Sequence, residues 1–195
     1  MDNMTKNLWD VILNIVTLVA AAVAFGFGLY QWRRSQAWQR AEKFDKLVEK
    51  FETDELLRLA TVIIDWSERK VRFRNRDLTV LNDEALLALR DHQAIEVLPK
   101  FPGEQATLRD AYDALLAFFN RLDVAISTGL IDAKPARDYF GYWLERLLKF
   151  DRHPDVDNVL GGKTPKAMVA GYIKVYADPK SIDSLRKHFG MADVN

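Results

Sequence analysis

The sequence predicts an all-α protein in which one N-terminal transmembrane helix continues into a stalk, followed by a compact multi-helix cytoplasmic domain with at most a short β-hairpin. Three observations predict it. Residues 11–32 form a run of 22 without a formal charge. Apolar residues then recur three and four apart through most of the remaining chain. Glycines and prolines cut that remainder into segments of helix length. The expected divisions are residues 1–32 for tail and span, 33–52 for the stalk and 53–195 for the domain.

As a helix, the uncharged run would be about 33 Å long, close to the hydrocarbon thickness of a bilayer. Trp9 precedes it and Tyr30 and Trp32 close it, as interfacial aromatic residues do. A cleaved signal peptide is the rival, since Ala22-Val23-Ala24 is similar to a cleavage site. Two features oppose it: Asp2 and Asp10 stand before the run against only Lys6, and the apolar stretch continues through Phe25 to Trp32. Arg33, Arg34, Arg40, Lys43 and Lys46 follow the span closely. The positive-inside rule therefore predicts a single-pass protein of the bacterial plasma membrane, N-terminus outside and C-terminal domain cytoplasmic.

The span is not uniformly apolar. Asp10, Asn14, Thr17, Ala21, Ala24, Gly28 and Gln31 recur in alternating steps of four and three, which places them along one seam of a helix. Ala20, Ala24 and Gly28 add a small-xxx-small ladder beside it, and Ala22 with Gly26 another pair. Such a seam packs protomers together, with Asn14 or Thr17 bonding across it. It also suits the lining of a water-filled pore, with Asp10 as a carboxylate ring at the outer mouth. Both uses require a homo-oligomer, with four copies as one candidate number.

Beyond the membrane, helical patterns are expected over 31–52, 54–68, 82–90, 104–128, from Pro135 to about 150, 165–176 and 181–189. Gly129 and Gly190 stand where helix stops belong, and Pro99 and Pro102-Gly103 break the chain. The pattern changes only around Arg69, Lys70, Arg72, Arg74 and Arg76, interleaved with Val71, Phe73 and Asn75. In one extended stretch Arg72, Arg74 and Arg76 would share a face and Val71 and Phe73 the other, with residues 78–81 returning as a second strand. Three guanidinium groups so placed suit phosphate, and Trp66 or Phe73 could stack on a base. The alternative is a solvated loop whose charges pair with Asp65, Glu68, Asp77 and Asp83.

Composition removes several classes of function. Lys+Arg and Asp+Glu both count 28, so net charge selects neither nucleic acid nor an acidic substrate. There is no cysteine and only three histidines, which removes disulfides, zinc–thiolate sites and a cysteine nucleophile. Gly161-Gly162-Lys163-Thr164 is similar to the end of a phosphate-binding loop, but Asp157 stands where the first glycine is required and Pro165 follows. Asp151, Asp155 and Asp157 near His153 do not follow a calcium-loop pattern. No metal, no cofactor and no catalytic residue is expected, so the chain reads as a non-enzyme.

Several segments carry a family resemblance: Leu29-Tyr30-Gln31-Trp32-Arg33-Arg34 closing the span, the amphipathic stretch 44–51, Phe118-Phe119-Asn120-Arg121-Leu122 ahead of Thr128-Gly129-Leu130-Ile131, and Tyr139-Phe140-Gly141-Tyr142-Trp143-Leu144. In these the chain resembles the DUF4760-like group of small bacterial single-pass proteins. In layout it also looks like the membrane effectors of Hailong anti-phage systems. That resemblance implies a membrane channel controlled by a nucleotide or oligonucleotide signal from a partner nucleotidyltransferase, and it transfers no individual ligand residue. A non-conducting, membrane-tethered interaction module is the alternative reading, and a membrane-attached hydrolase a third.

Overall fold

The structure, a computed structural model, describes residues 3–65, 68–74, 76–81, 88–89, 103–149 and 165–191. It contains six helices and one antiparallel hairpin among them: α1 (Asn3–Thr53), α2 (Glu55–Asp65), β1 (Glu68–Phe73), β2 (Arg76–Leu81), α3 (Gly103–Ser127), α4 (Ala133–Lys149), α5 (Pro165–Tyr176) and α6 (Pro179–His188). The all-helical class with a minimal hairpin is therefore the observed fold. The chain divides into two compact units, Met1–Glu42 and Lys43–Asn195. The expected stalk, residues 33–52, lies within α1, on both sides of that division.

The first unit is a single helix. Among the described residues α1 is the one helix long and apolar enough to cross a membrane, and the apolar window within it has a mean hydropathy of 2.3 with no residue buried. Leu18, Val23 and Phe25 are each about two-thirds exposed or more (73%, 67% and 69%). In water such a surface would cost on the order of 25 cal/mol for every Å² left uncovered, so the helix calls for lipid or a partner.

The second unit is built around α3. Its buried positions Leu108, Ala111, Tyr112, Leu115, Leu116, Phe118, Phe119, Leu122 and Ile126 lie on one broad face of the helix, with Asp110, Asp113, Ala117, Arg121 and Val124 exposed on the other. α2 packs against α3 through Leu57, Leu59, Ala60, Ile63 and Ile64, α6 packs against α3, and α4 meets both α2 and α5. The end of α1 joins this core through an aromatic cluster. Phe51 lies 5.0 Å from Phe118 and 5.3 Å from Phe140, and Phe140 lies 5.1 Å from Phe118, all tilted or edge-on. Of the aromatic residues of α4, Phe140 is core, Tyr139 and Trp143 pack half-buried against it, and Tyr142 is exposed.

Helix ends follow local chemistry. Asp54 separates α1 from α2, its Oδ1 accepting from the amides of Leu56 (3.0 Å) and Leu57 (3.3 Å). Gly129 takes φ +69°, so the Gly129 and Leu130 amides reach back to Ile126 and Ala125 carbonyls at 2.9 Å each. Two helices begin earlier than expected. α4 starts two residues before Pro135, and α6 starts at Pro179, with Asp178 accepting from the Lys180 amide. An Asp-Pro pair is a helix start that the apolar spacing alone does not reveal. Of the short helix expected over 82–90, Ala88 and Leu89 are described, in a buried turn. The Gly161–Thr164 stretch and the loop of Asp151, His153, Asp155 and Asp157 lie outside the described residues.

Three phenols are held back from ionising. Burial above all, with Tyr172 beside it, pushes Tyr112 far above the ordinary tyrosine range. Tyr172 is raised by burial, then by its hydrogen bond to Asp113, with Arg109 partly opposing. Tyr139, which donates to Glu52, is pushed up to about 12 chiefly by that bond. A raised phenol pKa means that the stabilisation is complete below pH 10 and disappears as pH climbs through the folded value. Absorbance at 295 nm should therefore show three tyrosines lagging at pH 11 in the folded protein, and Tyr139→Phe should remove the component near 12. Simultaneous ionisation of all phenols before unfolding would contradict this.

Tyr112 supplies a second test. It is 1% exposed and its hydroxyl has no hydrogen-bond partner among the described residues. An unsatisfied buried hydroxyl costs about 1–3 kcal/mol. Tyr112→Phe keeps the ring and should stabilise the domain by about 1 kcal/mol, read as a higher melting temperature; a lower one would show that the hydroxyl contributes favourably.

Candidate functional site

Two surfaces hold the residues singled out in the sequence. On α1, Asn14, Thr17, Ala21, Ala24, Gly28 and Gln31 are all exposed along one side of the helix, and the backbone of Asp10 lies in the same helix. The Thr17 hydroxyl donates to the Leu13 carbonyl at 2.8 Å, so its proton is satisfied within its own helix. That leaves the carboxamides of Asn14 and Gln31 as the strongest hydrogen-bonding groups of the seam among the described side chains, Asn14 being the one deep in the span.

The glycines are more telling. A Cβ built on Gly26 or Gly28 meets nothing within 4 Å, and neither residue has a positive φ. Glycine inside a helix costs about 1 kcal/mol relative to alanine. Nothing among the described residues requires it at Gly28, which lies on the seam, or at Gly26, which lies on the opposite side.

The cationic segment is a hairpin, with register pairs Val71↔Leu78, Arg72↔Asp77 and Phe73↔Arg76. Phe73 and Leu78 are 9% and 7% exposed and face the core, and β1 lies against α2. This differs from the single extended stretch anticipated above. The strand ends at Phe73, Arg74 turns the chain with φ +46°, and Arg76 already belongs to the return strand, opposite Phe73 rather than in line with Arg72. The three arginines therefore do not share one strand face. The physical reason is the apolar pair Val71 and Phe73, which needs Leu78 beside it and so forces the chain to fold back.

Lys70 and Arg72 alternate onto the outer face and are exposed, as is Arg69. Asp77 stands opposite Arg72 in the register. The Arg74 guanidinium lies 5.1 Å from the Phe73 ring centre, and its Nε is 4.0 Å from Glu55. Asp65, one of the expected partners of this cluster, points elsewhere. It accepts from the Tyr142 hydroxyl at 2.5 Å and pairs with Arg146 at 3.4 Å, tying α2 to α4. Trp66 lies outside the described residues.

Two arrangements were not foreseen. Arg109 on α3 is 7% exposed, with its guanidinium 5.0 Å from the Tyr172 ring centre and 4.6 Å from that of Tyr176, while Nη1 donates to the Ala88 carbonyl at 3.3 Å. The signal was present as Arg109-x-x-x-Asp113 and Tyr172-x-x-x-Tyr176, each one helical turn apart, but nothing in the sequence pairs those two helices. The second is an open cleft of about 240 Å³ between α4, α5 and α6, floored by Leu148, Val169, Ile173 and Ile182 with Lys174 and Arg186 among its walls.

Asp123, Ser127 and His188 also meet. Ser127 Oγ is 3.3 Å from His188 Nε2 and 3.4 Å from Asp123 Oδ1, and the same Nε2 is 4.0 Å from that carboxylate. A hydrolytic triad needs the carboxylate on the other ring nitrogen, so this is a tie between α3 and the end of α6. No group of three or more metal-ligating side chains occurs among the described residues. Comparison of the chain with protein-family models, with curated proteins and with solved structures finds no match.

Proposed function

We propose that the chain is a homo-oligomeric, single-pass membrane effector whose spanning helices meet along the Asn14–Gly28 side of α1 and form a gated ion-conducting pore. The N-terminus is outside and the helical domain cytoplasmic, following the cations after the span. A nucleotide or oligonucleotide made by a partner nucleotidyltransferase binds the domain, with Arg69, Lys70, Arg72, Arg74 and Arg76 of the hairpin as candidate contacts. It gates the pore by binding one conformation more tightly than the other. The setting is bacterial anti-phage defence, in keeping with the resemblance in layout. The observation that carries the reading is the seam itself: polar and small residues collected on one exposed side, among them Gly28, where no described neighbour requires a glycine.

Gly28→Leu should weaken self-association by roughly tenfold, about 1.4 kcal/mol, since a branched side chain would hold the two backbones apart. Cross-linking of the protein in lipid measures it. Asn14→Leu should alter single-channel conductance in planar bilayers. A wild-type protein that is monomeric in lipid, or an assembly that never conducts, would sink the pore.

A non-conducting tether is the second reading, and the Thr17 hydroxyl favours it. Already bound to Leu13, that group offers its proton to neither water nor an ion. An oligomer without conductance in the recordings above selects the tether.

A further inference from the structure

The seam has an opposite side, and its chemistry changes abruptly where the span ends. Written as a repeat of seven, Asn14, Thr17, Ala21, Ala24, Gly28 and Gln31 occupy the two inward positions. Arg33 and Arg40 are seven residues apart and both fall on the position directly opposite them. Arg34 sits on the flank, next to Arg33. All three lie in α1 within the first unit and are exposed. The seam register meanwhile runs on through Ser35, Trp38 and Glu42, without a cation. Basic charge is thus kept off the side where helices would meet and placed on the side that faces away.

We infer that Arg33, Arg34 and Arg40 form an outward rim that binds the headgroups of anionic phospholipids in the leaflet on the domain side. The level fits. Arg33 and Arg34 directly follow Trp32, at the edge of the hydrocarbon, where the headgroup layer is about 5–7 Å deep. Arg40 starts about 12 Å below Trp32. Helical side chains tilt toward the N-terminus, here toward the bilayer, so the long Arg40 side chain is aimed back at the phosphates. A guanidinium fork matches a phosphodiester bidentately, which a zwitterionic choline headgroup shields with its own cation. In an assembly the rim is repeated once per protomer, and anionic lipid offsets the repulsion between copies.

This inference rests on the membrane span proposed above, and on the seam only for the direction in which the arginines face. The test uses full-length protein reconstituted in phosphatidylcholine bilayers with a trace of spin-labelled phosphatidylglycerol or spin-labelled phosphatidylcholine. The motionally restricted fraction gives their relative association. Expected is a preference for phosphatidylglycerol of about fivefold, the equivalent of one effective surface cation. It should fall to about one in 1 M NaCl, where screening acts within about 3 Å. R33Q/R40Q should abolish it, R33K/R40K retain most of it, and R58Q/R121Q, which removes the same charge from the domain, leave it intact.

An absent preference in the wild type, or one that survives R33Q/R40Q, overturns the rim; so does its loss in R58Q/R121Q. Cross-linking in the same bilayers keeps the two ideas apart. A monomer that still prefers phosphatidylglycerol defeats the seam and leaves the rim standing, whereas an oligomer without preference defeats the rim alone.

Discussion

Phe140→Ala is expected to destabilise the helical domain by about 3–5 kcal/mol, the usual cost of emptying a fully buried aromatic site. Phe140 is 0% exposed and sits where three elements converge: Phe44 and Phe51 of α1 lie 6.1 and 5.3 Å from its ring centre, and Phe118 of α3 lies 5.1 Å away. These neighbours come from different helices, so none can collapse into the void without dragging its backbone. For a domain of this size the melting midpoint should fall by about 8–16 °C. The measurement is the thermal transition of the full-length protein in detergent, followed by tryptophan fluorescence, with Trp143 lying 6.0 Å from Phe51 as a reporter. A shift under about 3 °C would mean that the cluster is not the joint between α1 and the domain.

Removing the guanidinium of Arg109 should come next in size. Arg109→Met keeps the length of the side chain but strips a cation from the faces of two adjoining tyrosine rings and a donor from the Ala88 carbonyl. A charge-assisted hydrogen bond is worth about 1.5–3 kcal/mol, and a desolvated cation–π contact about 2. Relief of the cost of burying a charge offsets part of this, leaving a net loss of about 2–3 kcal/mol. Arg109→Lys should recover less than half, because a compact ammonium cannot cover both rings and reach the Ala88 carbonyl as the broad guanidinium does. The loss should also be local: amide exchange in α5 should quicken more than in α2, which does not depend on that contact. Equal acceleration in both helices would show a global effect instead.

Much of the fold was legible because it depends on spacing along one chain. The 3–4 recurrence of Leu57, Ala60, Ile63 and Ile64 or of Leu108, Leu115, Phe119 and Leu122 marks a buried helix face wherever the helix goes. Gly129 and Gly190 mark stops because left-handed backbone penalises a Cβ. The limits of this reading show at α6, where Asp178 and Pro179 start the helix before its first apolar residue. They show again at the arginines, whose alternation fits a single strand as well as it fits a hairpin.

The sequence by itself determined the apolar helix, the line of polar and small residues along it, the basic residues that follow, and an all-helical domain. Each is a periodicity, and a helix turns periodicity into a face without help from the rest of the molecule. Only the tertiary structure decided that Arg72, Arg74 and Arg76 part company around a turn, that Asp65 meets Arg146 and Tyr142 of α4, and that Arg109 packs against the adjoining rings of Tyr172 and Tyr176. These are contacts between residues from 3 to 81 positions apart, chosen by which apolar faces had to be buried together, and polar side chains then took the partners that this packing left within reach.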